Sequence, residues 1–448
     1  MKNKSLLFFF FALLIGAGSL VLASGPGNGL FSDPEKSPNQ AQVISDPLPD
    51  GERINSQSSG NLKSGNISLD WQTAGPDNVG GRTRTILFDK RDPNALTVYA
   101  SSVNGCIWKS TNLGSTWNKV NQANANLNVS CMTQTDNNDI YAGTGEYGFT
   151  QGSGLYVSTD GDNFTRVPGT EPVTVNNSLE WGYINELAAH NGRIYAATNS
   201  GLKYRDSGST EWLTAKYIDD EGQLQPLSGF VWDVKVGSNG IVAASVDSKV
   251  FVSPDGQPNG FINHSKKQVL SDTTLFPEKL PSTGLGRIEL AIAPSNPDYI
   301  YASATDPYGF FDNVYKSSDK GNSWEIIFPG KSSTIPDIFA ISSVSYGFVA
   351  NTIVVYPNDP DKVLVGGVNM WQGYKTNEGF YYWGNSPVTN YLYGKFDEQY
   401  LHELHHTYVF SPKNPKIFLV GTDGGLSINI DGQLEFKTIN RNYNVAQF

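Results

Sequence analysis

The chain has 448 residues, a net charge of −11 and 12% aromatic residues, which is enough apolar material for a large core. The acidic balance and the lack of a basic run argue against a nucleic-acid partner. Only two cysteines are present, Cys106 and Cys131, and the sequence leaves open whether they form a disulfide or remain free thiols.

The first 68 residues have the composition of a targeting segment and a linker. Residues 1–23 combine lysines, an apolar run and a small-residue cleavage site, which predicts a Sec signal peptide and a secreted or cell-surface protein. An uncleaved membrane anchor is the alternative, but Gly16, Gly18 and Ser19 interrupt the apolar run and favour cleavage. Residues 24–68 are rich in Pro, Gly, Ser, Asn and Asp and predict a disordered linker.

Residues 317–324 read SSDKGNSW and lie between two strand-like segments. Asp319 can accept hydrogen bonds from the N–H groups of its own turn. Gly321 can adopt the positive φ that a tight turn often needs. Trp324 opens the next segment with a large apolar ring to bury. The stretch therefore predicts a tight turn between two antiparallel strands.

The same turn recurs along the chain. Clear copies are STNLGSTW at 110–117, STDGDNF at 158–164, KTNEGFYY at 375–382 and NIDGQLEF at 429–436, and more divergent copies centre on Asp206 and Asp255. We assign a structural role in these turns to Asn112, Trp117, Asp160, Phe164, Asp319, Gly321, Trp324, Asn377 and Asp431. Asparagine in two of the copies supports that role, because an amide satisfies a turn but cannot replace a catalytic acid. The copies lie 46 to 64 residues apart, a period typical of a propeller or solenoid.

A second landmark has the same period. Before each turn motif lie a polar tight turn and a strand that ends in small residues, as in NPDYIYAS at 296–303. Each repeat therefore reads as four antiparallel strands, one blade of a β-propeller. The seven predicted blades cover residues 83–122, 129–170, 184–216, 231–265, 287–327, 351–387 and 405–440, within a domain at 69–448. Leu69–Thr73 and Tyr443–Phe448 look like spare strands, which leaves open an incomplete ring, an eighth blade or pairing of the two ends.

These spaced motifs resemble the Asp-box, or bacterial neuraminidase repeat (BNR), β-propellers over residues 69–448. The chain is most similar to sortilin-type propellers and to exported propeller proteins of Bacteroidetes-like bacteria. The resemblance implies an all-β fold, a seven-bladed propeller of four-stranded antiparallel blades. It does not select one function, because the Asp turn is structural in sialidases, glycosidases and receptors alike.

Strand directions divide the loops between two faces. The Asp turns and the short first-to-second turns share one face, here called the Asp-turn face. The longer connections gather on the opposite, long-loop face, where the binding loops of a rigid scaffold usually lie. Their aromatic residues either pack beneath their own loops or form a surface for a sugar or peptide. The residues predicted for that surface are Tyr147, Phe149, Trp181, Tyr183, Tyr308, Phe310 and Trp371.

HELHH at 402–406 matches the His-Glu-x-x-His pattern of zinc proteases. That chemistry needs a helix, whereas Tyr408-Val409-Phe410 indicates an inner strand directly after the motif. We predict no metal and no cofactor. His402 and His406 are the residues that a metal site at the channel mouth would use, and the alternative is that they hydrogen-bond nearby loops.

Enzymatic alternatives need particular side chains. A glycoside hydrolase needs two carboxylates across a cleft, and the long-loop face offers Glu146, Glu180, Glu186, Asp247, Asp306, Asp312, Asp397, Glu398 and Glu403. The first blade resembles that of xyloglucan-cleaving propeller glycosidases, but Val103 stands where those enzymes carry a catalytic Asp. A sialidase needs three convergent arginines, and the sequence does not bring together any three of Arg82, Arg84, Arg287 and Arg441.

We therefore expect an exported, non-catalytic propeller that binds a protein, peptide or glycan at the cell surface through long aromatic-rich loops. The alternative is a glycoside hydrolase that acts on polysaccharide through a carboxylate pair on the same face.

Overall fold

The computed structural model describes residues 80–445 except 104, 121–126, 176–177, 267–278, 331–335 and 395–396. The predicted signal peptide, the predicted linker and the predicted strand Leu69–Thr73 lie outside the described residues. Within those limits the chain is all-β, with no helix, and so with none that could cross a membrane.

Seven blades of four antiparallel strands follow one another along the chain, each with its strands paired in sequence order from inner to outer strand. The first strands of neighbouring sheets contact each other, and the first strand of the last sheet contacts that of the first. The sheets therefore close into a ring. The fold is a seven-bladed β-propeller, as the sequence predicts.

The first half of the ring holds three blades and one hairpin. Blade 1 contains β1 (Thr83–Phe88), β2 (Val98–Ser102), β3 (Ile107–Ser110) and β4 (Asn118–Val120). Blade 2 contains β5 (Val129–Gln134), β6 (Ile140–Thr144), β7 (Leu155–Ser158) and β8 (Thr165–Arg166), followed by a hairpin of β9 (Val173–Val175) and β10 (Ser178–Glu180). Blade 3 contains β11 (Ile184–His190), β12 (Arg193–Thr198), β13 (Gly201–Asp206) and β14 (Leu213–Thr214).

Blade 4 is wider than the others. Its four strands are β17 (Val231–Val236), β18 (Val242–Val246), β19 (Lys249–Ser253) and β20 (Phe261–Asn263). A hairpin that precedes them in the chain, β15 (Lys216–Ile218) and β16 (Leu224–Pro226), adds to the outer edge through a parallel pairing of β15 with β20. A short parallel pair follows, β21 (Ser265–Lys266) and β22 (Leu280–Pro281).

Three more blades complete the ring. Blade 5 contains β23 (Ile288–Ile292), β24 (Ile300–Thr305), β25 (Phe311–Ser317) and β26 (Glu325–Pro329), followed by a hairpin of β27 (Ala340–Ile341) and β28 (Val344–Ser345). Blade 6 contains β29 (Thr352–Val355), β30 (Lys362–Gly366), β31 (Met370–Lys375) and β32 (Tyr381–Trp383). Blade 7 contains β33 (His405–Phe410), β34 (Phe418–Thr422), β35 (Gly425–Asn429) and β36 (Lys437–Thr438).

The core lies between blades, and the second strands form its centre. In β2, β6, β18, β24 and β34 every residue is buried, because each of these strands is covered on both faces by a neighbouring blade. The small residues at their inner ends let the blades approach closely. A Cβ added at Gly143, for example, would lie 2.6 Å from Cys131 Sγ and 2.7 Å from Ile184 Cγ2.

The predicted Asp turns connect the third and fourth strands of the blades. In blade 5, Asp319 Oδ1 accepts hydrogen bonds from the Ser323 N–H at 2.8 Å and from Ser317 Oγ at 2.8 Å. Gly321 has φ 90°, and the buried Trp324 ring donates through Nε1 to the Gly321 carbonyl at 2.9 Å. Asn112 takes the same place in blade 1, where its Oδ1 accepts from the Thr116 N–H at 2.9 Å.

The remaining predicted turn residues occupy the same connections in other blades. Asp160 Oδ1 accepts from the Asn163 N–H at 2.8 Å, and Asp431 Oδ1 accepts from the Gln433 N–H at 2.9 Å. Phe164, like Trp117 of blade 1, is buried. Asn377 is exposed in the turn of blade 6, which the backbone closes from Thr376 to Phe380.

The ring closes between blades 7 and 1 without an exchange of strands among the described residues. Tyr443 is fully buried between Trp108 and Trp117, with ring centroids at 5.6 and 5.5 Å. Its hydroxyl lies 3.1 Å from Thr83 Oγ1. The segment from Tyr443 to residue 445 is therefore a plug between two blades and not the inner strand that its composition suggests, and residues 446–448 lie outside the described part.

Candidate functional site

Five inner strands carry a β-bulge close to the long-loop face. The pairing of β1, β5, β11, β17 and β33 with the next strand shifts at one residue each. Those residues are Arg84, Ser130, Asn185, Trp232 and His406. A bulge re-aims a side chain, and all five of these residues line one cavity in the central channel.

The cavity encloses about 50 Å³, which is room for about three to five water molecules. Its walls are mostly polar and come from several blades. The lining residues are Arg84, Thr85, Ser130, Cys131, Asn185, Glu186, Trp232, Arg287, Glu289, His406 and Thr407. The charged side chains around it form what we call the channel network.

Two arginines in the channel network share one acceptor. Arg84 Nη1 donates to the Val349 carbonyl at 2.9 Å, and Arg287 Nη1 donates to the same oxygen at 3.0 Å. Arg287 also pairs with Glu289 at 2.5 Å. Burial raises the pKa of Glu289 to about 7, although Arg287 acts in the opposite direction.

Beside this shared carbonyl, His406 joins Arg84 to Asp423. His406 Nε2 lies 2.7 Å from Asp423 Oδ1, and Arg84 Nη1 lies 3.0 Å from His406 Nδ1. Since arginine can only donate, Nδ1 is the acceptor and Nε2 carries the proton. Burial lowers the pKa of His406, which favours this neutral form. Burial alone would raise the pKa of Asp423, but its hydrogen bond to His406 and the charge of Arg82 lower it to about 2.

The remaining cations of the network are held in the same way. Arg82 pairs with Asp423 at 2.9 Å and with Glu146 at 3.2 Å. Lys235 pairs with Glu186 at 2.8 Å and with Asp233 at 2.7 Å. Burial would lower the pKa of Lys235, but these carboxylates raise it above the usual value.

The network therefore neutralises itself. Arg82, Arg84 and Arg287, which the sequence does not bring together, do converge at the channel mouth, but they are already bound to carboxylates or carbonyl groups of the chain. Arg84 Nε lies 3.5 Å from Glu146 Oε1, too poorly aligned to form a hydrogen bond. The three guanidinium groups consequently do not form an open clamp for an anionic substrate.

A row of contacting rings adjoins the cavity, and we call it the aromatic arc. It runs from blade 2 to the blade 5–6 connection and consists of Tyr183, Tyr147, Phe230, Trp232 and Phe348. Successive ring centroids are 5.4, 4.8, 4.3 and 5.9 Å apart. All five side chains remain at least partly exposed, and Tyr147 is 40% exposed. The arc therefore offers a continuous amphipathic surface on the long-loop face.

The predicted aromatic residues separate into two groups. Tyr147 and Tyr183 belong to the arc, and Phe149 lies next to it, 59% exposed, with the Arg82 guanidinium 4.8 Å from its ring centroid. Tyr308 is exposed and Phe310 half-buried in the turn after β24.

Trp181 and Trp371, by contrast, are buried in the core. Trp181 packs edge-on against Trp212 at 4.9 Å, and Trp371 packs against Phe328 at 5.7 Å. Both rings serve blade packing and contribute nothing to the exposed surface.

Trp232 was not predicted from the sequence, because it lies inside an inner strand and not in a long loop. The feature of the sequence that could indicate its role is its position in the repeat. It is the second residue of β17, at the place that Arg84 and His406 take in their own blades, where a bulge turns the side chain into the channel.

The His-Glu-x-x-His segment does not form a helix. Residues 401–404 are irregular and β33 begins at His405. Both ring nitrogens of His406 are engaged, and His402 Nδ1 lies 3.1 Å from the Glu403 carbonyl oxygen. Among the described residues no group of three His, Cys, Asp or Glu side chains is placed to hold a metal ion. In the described part of the chain, Cys106 and Cys131 do not form a disulfide.

Comparison with known proteins supports the fold. No protein-family model matches the sequence, and no curated protein matches it. Among solved structures, the chain is similar to an ancestral GH74 enzyme, with 18% identity over 81% of this chain and a TM-score of 0.53. It is also similar to the GH74 xyloglucanase of Xanthomonas campestris, with 14% identity over 82% of this chain and a TM-score of 0.52. The likeness is one of fold.

The chain spans only 46% and 54% of the length of those two enzymes. A third similar structure is the extracellular domain of a proposed hybrid two-component system of B. thetaiotaomicron. It has 12% identity over 78% of this chain and 38% of that chain, with a TM-score of 0.53. Enzymes and an extracellular domain of a two-component system thus have a similar fold, and the fold by itself does not select between catalysis and binding.

Proposed function

We propose that the protein is an exported, non-catalytic propeller that binds a protein, peptide or glycan through the aromatic arc. The observation that carries the proposal is the unbroken contact from Tyr183 to Phe348, formed by rings from separate blades. Rings that served only their own loops would have no reason to form one partly exposed row across blades. Aromatic rings of this kind bind sugars and peptides with little loss of conformational entropy.

The channel network supports this proposal by holding the arc in place. Trp232 of the arc lines the same cavity as Arg84 and Arg287. Arg287 also donates to the carbonyl of Phe348 at 3.1 Å, which fixes the backbone at the end of the arc. Buried ion pairs hold such a surface in one conformation before the ligand binds, so ordering the surface adds little to the free-energy cost of binding.

One observation favours the glycosidase alternative. Glu186 and Glu289 line the same cavity, and the raised pKa of Glu289 is a property of general acids. Three facts count against it. Glu186 is bound to Lys235, Glu289 is bound to Arg287, and a cavity of about 50 Å³ is too small for a sugar ring. We therefore assign these carboxylates to support of the arc.

The test compares an arc variant with a matched remote variant. Wild-type protein, Tyr147→Ala/Phe230→Ala and Phe380→Ala are each immobilised and challenged with a displayed random peptide library and a panel of plant and bacterial polysaccharides. Phe380 is 58% exposed in the β31–β32 turn on the Asp-turn face, so its truncation controls for loss of an exposed ring. We expect ligands that are retained by wild type and Phe380→Ala but not by the arc variant. Equal retention by all three proteins contradicts the proposal.

A second assay addresses catalysis directly. The same polysaccharides are incubated with wild type and with Glu289→Gln, and new reducing ends are counted. We expect no release above the buffer control for either protein. Release by wild type that is lost in Glu289→Gln would establish the glycosidase alternative instead.

A further inference from the structure

The two ends of the Phe230–Trp232–Phe348 stretch of the arc are flanked by carboxylates. Asp247 is exposed beside Phe230, and the two residues exchange hydrogen bonds: Asp247 Oδ1 accepts from the Phe230 N–H at 3.1 Å, and the Asp247 N–H donates to the Phe230 carbonyl at 2.7 Å. Asp306 begins the turn that packs on Phe348, since a Cβ added at Gly309 of that turn would lie 2.8 Å from the Phe348 ring. Each end of this stretch therefore carries one negative charge.

Both carboxylates keep one oxygen available. Asp306 Oδ1 accepts from the N–H groups of Tyr308 and Phe310 at 2.8 and 3.0 Å, so Oδ1 holds the turn, as it does in Asp247. In the part of the chain that the structure describes, Oδ2 of neither residue receives a hydrogen bond, and neither carboxylate has a cation within 4.0 Å. They differ in this from Glu146, Glu186, Glu289 and Asp423 of the channel network, which are all paired.

The charge at this surface is therefore negative and complements a cationic ligand. The cations of the channel network are bound to the chain's own carboxylates, whereas the carboxylates beside the arc are not compensated. Aromatic faces attract ammonium and guanidinium groups, and the chain itself already uses this contact where Arg82 lies 4.8 Å from the Phe149 ring. A net charge of −11 adds a long-range attraction for a basic partner.

The geometry of an extended peptide selects among basic ligands. Between the two carboxylates lie three rings whose successive centroids are 4.3 and 5.9 Å apart. In an extended peptide, residues i and i+2 point to the same side and lie roughly 7 Å apart, and the long side chains of lysine and arginine reach further to either end. Neighbouring residues i and i+1 point to opposite sides and cannot both reach the surface.

We propose that the ligand of the arc is an extended peptide segment with two basic residues separated by one other residue. One basic side chain pairs with Asp247 and the other with Asp306, and the peptide backbone crosses the rings of Phe230, Trp232 and Phe348. The proposal rests on the proposed function, because it names the partner class of the same surface.

The test uses fluorescein-labelled peptides and fluorescence polarisation. The probe is Gly-Arg-Ser-Arg-Gly, and its matched control carries citrulline at both arginine positions, which keeps the shape and hydrogen-bonding groups but removes the charge. A second control, Gly-Ser-Arg-Arg-Gly, has adjacent arginines. We expect the citrulline peptide to bind about tenfold more weakly, from the loss of two ion pairs and their contacts with the rings. Binding of the probe should weaken as salt rises from about 0.05 to 0.3 M, because exposed ion pairs are screened.

The protein variants are Asp247→Asn and Asp306→Asn, because asparagine keeps the turn acceptor and removes only the charge. Each should weaken binding of the probe about twofold to fivefold. Glu378→Gln removes an exposed charge on the Asp-turn face and should leave binding unchanged. Equal affinity for arginine and citrulline peptides, or unchanged binding by both Asn variants, overturns the proposal.

The outcome separates this inference from the proposed function. If a neutral polysaccharide is retained in a way that depends on Tyr147 and Phe230 while the basic probe is not bound, the partner class is wrong and the binding role of the arc stands. If no ligand depends on the arc, both are wrong.

Discussion

Arg84 of blade 1 and Arg287, which precedes blade 5, donate to the same carbonyl oxygen of Val349, at 2.9 and 3.0 Å. The two positive charges repel each other at this shared acceptor. The carboxylates around them offset that repulsion. Arg287 depends on Glu289, and Arg84 depends on Glu146 and on neutral His406. The channel mouth is thus held by charge pairs that join blades remote in sequence.

We expect Arg287→Met to destabilise the protein more at pH 8 than at pH 5. The substitution leaves Glu289 buried without its partner, which costs about 3–5 kcal/mol when the carboxylate is charged. The pKa of Glu289 is already raised by burial, so at pH 5 it takes up a proton and most of this cost disappears. Urea denaturation at the two pH values measures the difference. The double variant Arg287→Met/Glu289→Gln should lose the pH dependence, and an equal loss of stability at both pH values would count against this account.

The Asp turns give a second prediction. Asp319→Ala removes the acceptor for Ser323 N–H and for Ser317 Oγ and should lower the free energy of unfolding by about 1–2 kcal/mol. Asp319→Asn should cost less than half of that, because Asn112 already makes the equivalent bond to the Thr116 N–H in blade 1. Thermal denaturation of the two variants checks the order. Equal losses would show that the negative charge, and not the acceptor, stabilises the turn.

The repeating parts of the molecule could be predicted from the sequence. Each blade carries its own turn chemistry and its own strand with small residues, and these signals are local. Six of the seven predicted blade ranges enclose the four strands of their blade, because Asp319 and its counterparts act within their own turns. In blade 5 the last strand, β26, continues to Pro329, past the predicted end at residue 327. The hairpin of β15 and β16 on blade 4 was not predicted, since it pairs with β20 across a long separation in sequence.

The candidate site could be predicted only in part. Tyr147 and Tyr183 were found because they lie in loops whose face follows from strand direction. The same rule predicts that Trp181 and Trp371 are exposed, whereas their rings pack into the core. The channel network was missed, because the convergence of Arg84 and Arg287 depends on the closed ring and on a bulge in β1, which the residue types do not indicate.

Buried neutral histidines give a pH-dependent stability. Burial lowers the pKa of His405 to about 3 and that of His264 to about 4, against an ordinary value near 6.5. Below pH 6.5 the unfolded chain binds protons that the folded chain does not, so stability is lost as pH falls from about 6.5 towards these folded-state values. At pH 5 the cost is about 2 kcal/mol for each histidine.

One group acts in the opposite direction. Glu289, with its pKa raised by burial, binds a proton in the folded state between about pH 7 and 4.5 and so favours folding as pH falls in that window. The stability lost through two histidines exceeds the stability gained through one carboxylate. We therefore expect the urea concentration at the unfolding midpoint to be lower at pH 5 than at pH 7.5. His264→Gln should reduce that fall relative to wild type. A urea midpoint that rises on acidification would contradict this role of the buried histidines. So would a pH dependence in His264→Gln that is as large as in wild type.

The closure of the ring gives the last prediction. Tyr443 fills the space between Trp108 and Trp117 and joins its hydroxyl to Thr83 of the first inner strand, so it connects the last blade to the first. Tyr443→Ala should therefore lower the free energy of unfolding by about 3–5 kcal/mol, as expected for truncation of a fully buried aromatic ring. Tyr443→Phe removes only the bond to Thr83 and should cost about 1 kcal/mol. Tyr382, which is 47% exposed on β32, provides the control, and Tyr382→Ala should change stability by less than about 0.5 kcal/mol. If urea denaturation shows similar small losses for Tyr443→Ala and Tyr382→Ala, Tyr443 is not what closes the ring.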